Sequence, residues 1–280
     1  MRVVSWNIAF RGPKAAKRQG CLLRKLAPDL MLLQEVNPGS SEVLRAAAGA
    51  DWMVRAIDMR LTRSPDDSPM RRRGVAIAGH GLRPCRSWLL GEIRLSERIL
   101  FIETQTEGTP FIAVSYHAPP GVTYGIVKPR QAVAFASWLS TQNVPLLFGA
   151  DANTPLVDAF DFANTRTHWH TGYRRLQGEE GDDLLFGPGK VHDLDDALRR
   201  WLALHPDEMD RLRASHPSGP LAITHRTGRR KNSPGNPRRF DWVVRHIEHL
   251  YEKGIAAGSD HAPVVVDLDL TARSGKEEKT

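Results

Sequence analysis

The chain has 280 residues, 41% of them hydrophobic and 25% charged, the balance of a soluble globular protein with room for one large domain or two small ones. Its net charge of +7 favours a polyanionic partner, and no apolar run is long enough to cross a membrane. Two cysteines, Cys21 and Cys85, exclude a disulfide framework and a cysteine metal site.

The opening residues, Met1-Arg-Val-Val-Ser-Trp, read directly as a strand and lack the apolar segment of a signal peptide, so a cytoplasmic, reduced setting is expected. Arg2 to Ile8 alternates and is β-branched, which predicts a first strand ending at Trp6-Asn7. Pro13 opens a helix on which Leu22, Leu23 and Leu26 share a face, and Pro28 stops it. Asp29 to Val36 is a second strand, apolar nearly throughout and so expected to be buried on both faces. Ser41 can cap a short helix through Ala48. Trp52 to Ile57 returns as a strand. A polar loop from Asp58 to Arg73 ends in the basic run Arg71-Arg72-Arg73. Gly74 to Ala78, Trp88 to Leu95, Arg98 to Thr104 and Phe111 to His117 are four consecutive strand-like runs, which argues for antiparallel pairing over a doubly wound sheet.

Lys128 to Leu139 reads as a helix and Val144 to Phe148 as a short buried strand. Leu156 to Lys190 is expected to be mostly loops, with an acidic stretch from Gly178 to Asp183. Asp193 is expected to cap an amphipathic helix with Leu194, Ala197, Leu198, Trp201 and Leu202 on one face, ended by Pro206. A second helical segment runs from Pro206 towards Ala214. Leu221 to Thr224, Phe240 to Val244 and Val264 to Leu270 are the last predicted strands. The polar tail, residues 271–280, is expected to be disordered, which leaves a single domain over residues 1–270.

The stretch Leu147-Phe-Gly-Ala-Asp-Ala-Asn-Thr-Pro155 carries the first chemical signal. The strand is expected to end at Gly149, and Pro155 forbids the ladder from continuing. Asp151 and Asn153 follow two apart, and in extended chain such residues point the same way. A carboxylate that takes a proton or a metal, beside an amide that donates to a phosphate oxygen, suits phosphate chemistry. The same residues also make an ordinary turn. The chemical reading gains weight because polar residues close other strands too: Asn7, Glu35, His117, and Ser259-Asp260-His261 before the last strand. Strand ends in a layered α/β fold can converge on one rim. The set holds three acids, two histidines and two amides, and hard carboxylate oxygens favour Mg²⁺ or Mn²⁺ over zinc.

Ser5-Trp-Asn7, Leu33-Gln-Glu35, His117-Ala-Pro, Asp151-Ala-Asn-Thr-Pro155, Phe240-Asp241 and Ser259-Asp-His261 resemble, in order and over nearly the whole chain, the motif series of the endonuclease/exonuclease/phosphatase superfamily. The resemblance implies a four-layer α/β/β/α sandwich, two packed mixed β-sheets with helices outside, and metal-dependent hydrolysis of a phosphoester. It implies that Glu35 binds the divalent cation with Asn7 beside it, and that Asp260 completes the acidic site. Asp151 would activate or orient the attacking water, and Asn153 would hold a phosphate oxygen. His261 would contact the scissile phosphate or act as base, oriented by Asp241. Ala150 departs from the family's usual glycine and changes little, because the functional groups stand at Asp151 and Asn153.

Tyr116-His117-Ala118-Pro119 resembles the histidine-bearing, DNase I-like branch, where the histidine protonates the leaving oxygen with help from a glutamate on an earlier strand. Ser96-Glu97-Arg98-Ile99-Leu100-Phe101 resembles that glutamate's surroundings, so a Glu97–His117 pair is expected. The other reading of Glu97 is an exposed glutamate at a strand start. His168 and His170 have no third ligand at suitable spacing and read as surface residues, as do His246 and His249. Between Arg226 and Arg239 lie six Lys or Arg and no acid. This loop is expected to overhang the site, with Arg229, Arg230, Lys231 and Arg73 gripping phosphates. The expected activity is a Mg²⁺-dependent nuclease acting as a monomer, on DNA in preference to RNA. A phosphatase or phosphodiesterase on a small or lipid ester is the alternative. The intact acid and histidine set argues against a binding module without catalysis.

Overall fold

The computed structural model describes residues 1–60, 73–91, 93–106, 108–154, 157–167, 180–227, 236–239, 241–242 and 247–268. Its strands in chain order are β1 (Arg2–Asn7), β2 (Leu30–Val36), β3 (Trp52–Arg55), β4 (Gly74–Gly79), β5 (Arg86–Leu89), β6 (Ile99–Thr106), β7 (Thr109–His117), β8 (Leu146–Asp151), β9 (His225–Thr227), β10 (Asn236–Arg238), β11 (Asp241–Trp242), β12 (Ile247–His249) and β13 (Val264–Asp267). The helices are α1 (Pro13–Leu26), α2 (Ser41–Ala48), α3 (Gly121–Tyr124), α4 (Val127–Ser140), α5 (Glu180–Phe186), α6 (Ala197–Leu204), α7 (Pro206–Ser215) and α8 (Tyr251–Ala257).

The period-2 alternation of the strands serves two apolar layers at once. Val3, Leu30, Leu32, Val75 and Ile77 of one sheet meet Leu100, Ile102, Phe111, Ala113 and Leu147 of the other in a shared core. Their neighbours face outward: Val4, Trp6, Met31 and Leu33 pack with Ala16, Leu23 and Leu44 of α1 and α2. On the far side Ile99, Phe101, Val114 and Tyr116 pack with Ala132, Phe135 and Ala136 of α4 and with Leu185 and Phe186 of α5. Strands buried on both faces read as continuous apolar runs, which is why β2 showed no alternation in its sequence. The result is the expected four layers: helices, sheet, sheet, helices.

One sheet has the strand order β12-β13-β1-β2-β4-β3 and the other β11-β8-β7-β6-β5, with β9 and β10 paired as a separate ribbon. Each sheet is mixed, with β1–β2 parallel in the first and β7–β8 parallel in the second. The four consecutive strand-like runs divide between them. β4 joins the first sheet against β2 and β3, while β5, β6 and β7 pair antiparallel in the second. The two sheets come very close at Gly149, where a Cβ would stand 2.6 Å from Ser5 Oγ and 2.8 Å from Leu32 Cδ1.

Several expectations change. β8 runs past Gly149 to Asp151, because its parallel ladder with β7 continues through Tyr116–Ala150 to His117–Asp151. α5 lies in the stretch expected to be loop and packs on α4. α6 starts at Ala197, and its cap is Asp196 in place of Asp193: the Asp196 carboxylate accepts the Leu198 N–H at 3.0 Å. Buried Arg239 holds that carboxylate through two donors, at 2.8 and 2.6 Å, so the helix start is set by a residue far along the chain. Leu221 to Thr224 forms no strand, and β9 begins at His225. The tail, residues 271–280, lies outside the described residues. Among the described residues no helix is long and apolar enough to cross a membrane.

Candidate active site

Two parallel pairs, one per sheet, end on the same rim. Their last residues bring Asn7 and Glu35 from the first sheet to His117 and Asp151 from the second, the placement expected for strand ends in a layered α/β fold. Asn7 Nδ2 donates to Asp151 Oδ2 at 2.6 Å across the gap. Beneath it, Gln34 Nε2 donates to Ser115 Oγ at 3.2 Å and to Ser5 Oγ at 3.3 Å, and Ser115 Oγ donates to the Leu33 carbonyl at 3.0 Å. These buried bonds tie the two sheets together directly below the site.

Asp151 is the centre of the arrangement. It is buried, and its Oδ2 lies 3.6 Å from His117 Nε2 and 3.8 Å from His261 Nε2. Its Oδ1 accepts the Asn153 N–H at 3.2 Å, closing a side-chain turn. Asn153 is left-handed, with φ of 49°, so it does not continue the extended chain that would have set it parallel to Asp151. Its amide donates to the Ala118 carbonyl at 3.0 Å, and its own carbonyl accepts Lys128 Nζ at 3.0 Å. Asp241 pairs with Asp151 in the β11–β8 register, which brings its backbone to this rim.

Glu35 is also left-handed, with φ of 52°, and sits where the β2–β4 register slips between Leu33 and Val36. A non-glycine residue in that region stores strain, and strain of this kind gathers at functional sites. The bulge turns the Glu35 side chain towards the rim. Its Oε1 lies 3.7 Å from His117 Nε2 and its Oε2 3.2 Å from Arg73 Nη1. Burial pushes the Glu35 carboxyl above its usual range, while Arg73 pulls the other way. Arg73 in turn lies over the Phe10 ring, 5.3 Å from its centroid.

The expected Glu97–His117 pair is not formed. Ser96–Arg98 is a 3-10 turn, so Glu97 and Arg98 do not alternate as strand residues would. Glu97 is buried with its Oε2 3.6 Å from Arg60 Nε, and Arg98 reaches the histidine instead. Arg98 Nη1 stands 3.0 Å from His117 Nδ1 and 3.4 Å from Nε2. A guanidinium only donates, so the closer nitrogen, Nδ1, accepts and the ring proton belongs on Nε2, facing Glu35 and Asp151. Burial first and the Arg98 cation second push the His117 pKa well below its usual value, leaving a neutral imidazole.

The last loop is pinned to β1. Ser259 Oγ donates to the Asn7 carbonyl at 2.6 Å and accepts the His261 N–H at 3.1 Å, while Trp6 Nε1 donates to the His261 carbonyl at 2.9 Å. Asp260 is the residue that leaves its expected company. Its side chain is half exposed, with Oδ2 3.9 Å from His225 Nε2 and Oδ1 4.0 Å from Arg11 Nη2. Its carboxyl is held well below the usual carboxylate range, chiefly by interaction with the His225 side chain. His225 stacks on His261 with ring centroids 4.5 Å apart. Among the described residues, one group of three His, Cys, Asp or Glu side chains brings its ligand atoms within 4.8 Å of one another: His225, Asp260 and His261. Glu35 and Asp151 offer carboxylate oxygens at the rim, and Asn7 an amide oxygen that accepts the Ala9 N–H at 2.8 Å, a donor set that fits a hard divalent cation.

Arg98 and His225 were not singled out from the sequence. Neither carries a local mark of its role in the sequence. Arg229, Arg230 and Lys231 lie outside the described residues, as do His168, His170 and His246.

No protein-family model matches the chain, and no curated protein matches it. Solved structures do. D. rerio TDP2 complexed with a single-strand DNA product is 14% identical over 95% of this chain and 97% of that one, with a TM-score of 0.59. The endonuclease domain of TRAS1, a telomere-specific non-LTR retrotransposon, is 16% identical over 96% and 99%, with a TM-score of 0.54. A truncated Caenorhabditis elegans TDP2 is 13% identical over 94% and 95%, with a TM-score of 0.53. The likeness runs nearly end to end in both partners of each comparison, and the chain therefore has the fold of these proteins, the four-layer DNase I-like α/β sandwich.

Proposed function

We propose that the chain is a divalent-metal-dependent phosphodiesterase of the endonuclease/exonuclease/phosphatase superfamily that hydrolyses phosphodiester bonds in DNA. The observation that carries this reading is the convergence of Asn7, Glu35, His117, Asp151 and His261 on one rim, drawn from both sheets and the last loop. Shared fold adds support, since one neighbour holds a single-strand DNA product and another is an endonuclease domain.

A phosphodiester anion repels hydroxide, so hydrolysis needs positive charge on the phosphate and a fixed base for the water. Glu35 and Asn7 would hold the cation, Mg²⁺ or Mn²⁺, which neutralises the phosphate. Asp151 is the base: Asn7 and the Asn153 N–H fix its carboxylate, and one water proton passes to it as the water oxygen attacks phosphorus and the P–O bond to the leaving oxygen breaks, that oxygen taking its proton from solvent. His117 is neutral with its Nε2–H towards the rim, so it serves as a hydrogen-bond donor to phosphate or leaving oxygen, not as an imidazolium acid. His261, beside Asp151, donates to the developing charge. Arg73 is available to a second phosphate oxygen once a cation relieves it of Glu35.

The chain's basic segment tests the substrate class. If Arg229, Arg230 and Lys231 grip successive phosphates, each contact changes the slope of log affinity against log salt by about −0.9 on duplex DNA. Replacing all three with Ser is expected to weaken binding to any sequence alike and to flatten the slope by about two to three, while turnover of a small phosphodiester hardly changes. The measurement is fluorescence anisotropy from low to physiological salt, in Ca²⁺ to suppress cleavage. An unchanged slope, with an altered KM for the small ester, moves the reading to a small- or lipid-ester phosphatase.

A further inference from the structure

We infer that Phe10 and Tyr124 are stacking platforms for two nucleobases of an unpaired DNA strand, one on each side of the phosphate that the rim holds. The platforms rest on the proposed action on DNA, and they add to it that the strand is unpaired at the site.

Each ring stands one arginine away from a rim group. Arg73 lies over Phe10, its Cζ 5.3 Å from the ring centroid, and its Nη1 is 3.2 Å from Glu35 Oε2. Arg98 lies over Tyr124, also at 5.3 Å, and its Nη1 is 3.0 Å from His117 Nδ1. The two pairs belong to different sheets: Phe10 follows β1, and Tyr124 ends α3, after β7. The rim therefore lies between two rings, each with a guanidinium on one face. A cation on one face leaves the other to a flat partner. A phosphate drawn to these guanidiniums carries its nucleosides towards the rings.

The apolar cores do not account for either ring. Both are half-buried, and among the described residues neither belongs to the three clusters that pack the sheets and helices. Phe10 is placed by strained backbone instead. Ala9 and Phe10 are consecutive left-handed residues, with φ of 57° and 49°. Asn7 Oδ1 accepts the Ala9 N–H at 2.8 Å, and the Glu35 carbonyl accepts the Phe10 N–H at 2.9 Å. Alanine and phenylalanine rarely take this region, and such strain gathers at ligand clamps. A large aromatic side chain kept there, outside any core, fits a ligand contact. Every base offers a π-face, so such stacking tolerates any sequence but needs bases free of a partner strand.

The experiment is fluorescence anisotropy of the full chain, in Ca²⁺ to suppress cleavage. The labelled probes are an oligothymidine, a strand of equal length made of abasic sites, and a duplex. Wild type is expected to bind the oligothymidine at least about tenfold more tightly than the abasic strand. Phe10→Leu and Tyr124→Leu keep apolar bulk without a flat ring. Each is expected to lose about fivefold or more on the oligothymidine, and nothing on the abasic strand or the duplex. Phe10→Tyr and Tyr124→Phe, which keep a ring, are expected to bind as wild type does. Equal loss on all three probes, or no loss on the oligothymidine, overturns the platforms. Equal wild-type affinity for oligothymidine and abasic strand overturns them without any variant. Binding is read here without turnover, so wild-type hydrolysis of a small aryl phosphodiester in Mg²⁺, measured alongside, reports on the hydrolytic reading separately.

Discussion

Asp151→Asn is expected to slow phosphodiester hydrolysis by about 10³-fold, within the range contributed by a positioned general base. The change keeps the shape of the side chain and removes its charge and basicity. It acts at the one group that lies beside Asn7, the Asn153 N–H, His117 and His261 together. Stability should move the other way. Asp151 and Glu35 repel one another, and burial already raises the Glu35 carboxyl, so removing one buried anion is expected to leave Tm unchanged or higher. Single-turnover cleavage of an oligonucleotide, paired with a thermal melt, checks both halves. A rate within about tenfold of wild type would take the base role from Asp151.

Glu35→Gln is expected to cost about 10²-fold or more in Mg²⁺-dependent turnover, and to raise the Mg²⁺ concentration needed for half-maximal rate. The amide retains shape but not charge. The strained backbone at φ 52° is inherited by the variant, since glutamine meets the same left-handed cost as glutamate. Arg73 loses its carboxylate partner and becomes more available to phosphate, so substrate affinity should fall less than rate. A Mg²⁺ titration of the initial rate separates the two effects. Near-normal rates at ordinary Mg²⁺ would move the cation away from Glu35.

Much of this site could be read before any coordinates, for a definite reason. Asn7, His117 and Asp151 close strands, Glu35 sits at the bulge near the end of one, and the ends of parallel strands share a rim whatever lies between them. The apolar run of β2 likewise announced burial on both faces. What escaped depended on backbone geometry or on distant partners. The 3-10 turn at Ser96–Arg98 exchanged Glu97 for Arg98 beside His117, and that exchange reversed the charge next to the histidine. Asn153 left the extended path because the Asp151 carboxylate captured its N–H. Asp196 outcompeted Asp193 as a helix cap because Arg239 holds it from elsewhere in the chain. His225 meets Asp260 and His261 only through tertiary packing, and no local pattern marks it.

The proposed activity of this rim is hydrolysis of DNA phosphodiester bonds with a divalent cation. Its most direct test is cleavage of end-labelled single-stranded and duplex DNA by the wild-type chain, in Mg²⁺, in EDTA, and in EDTA followed by excess Mg²⁺, with an RNA of the same sequence and a small aryl phosphodiester alongside. Shortened DNA products are expected in Mg²⁺ and none in EDTA, with recovery when Mg²⁺ is restored and slower turnover of RNA and the small ester. DNA left intact under every condition, or cleavage that EDTA does not touch, would contradict it.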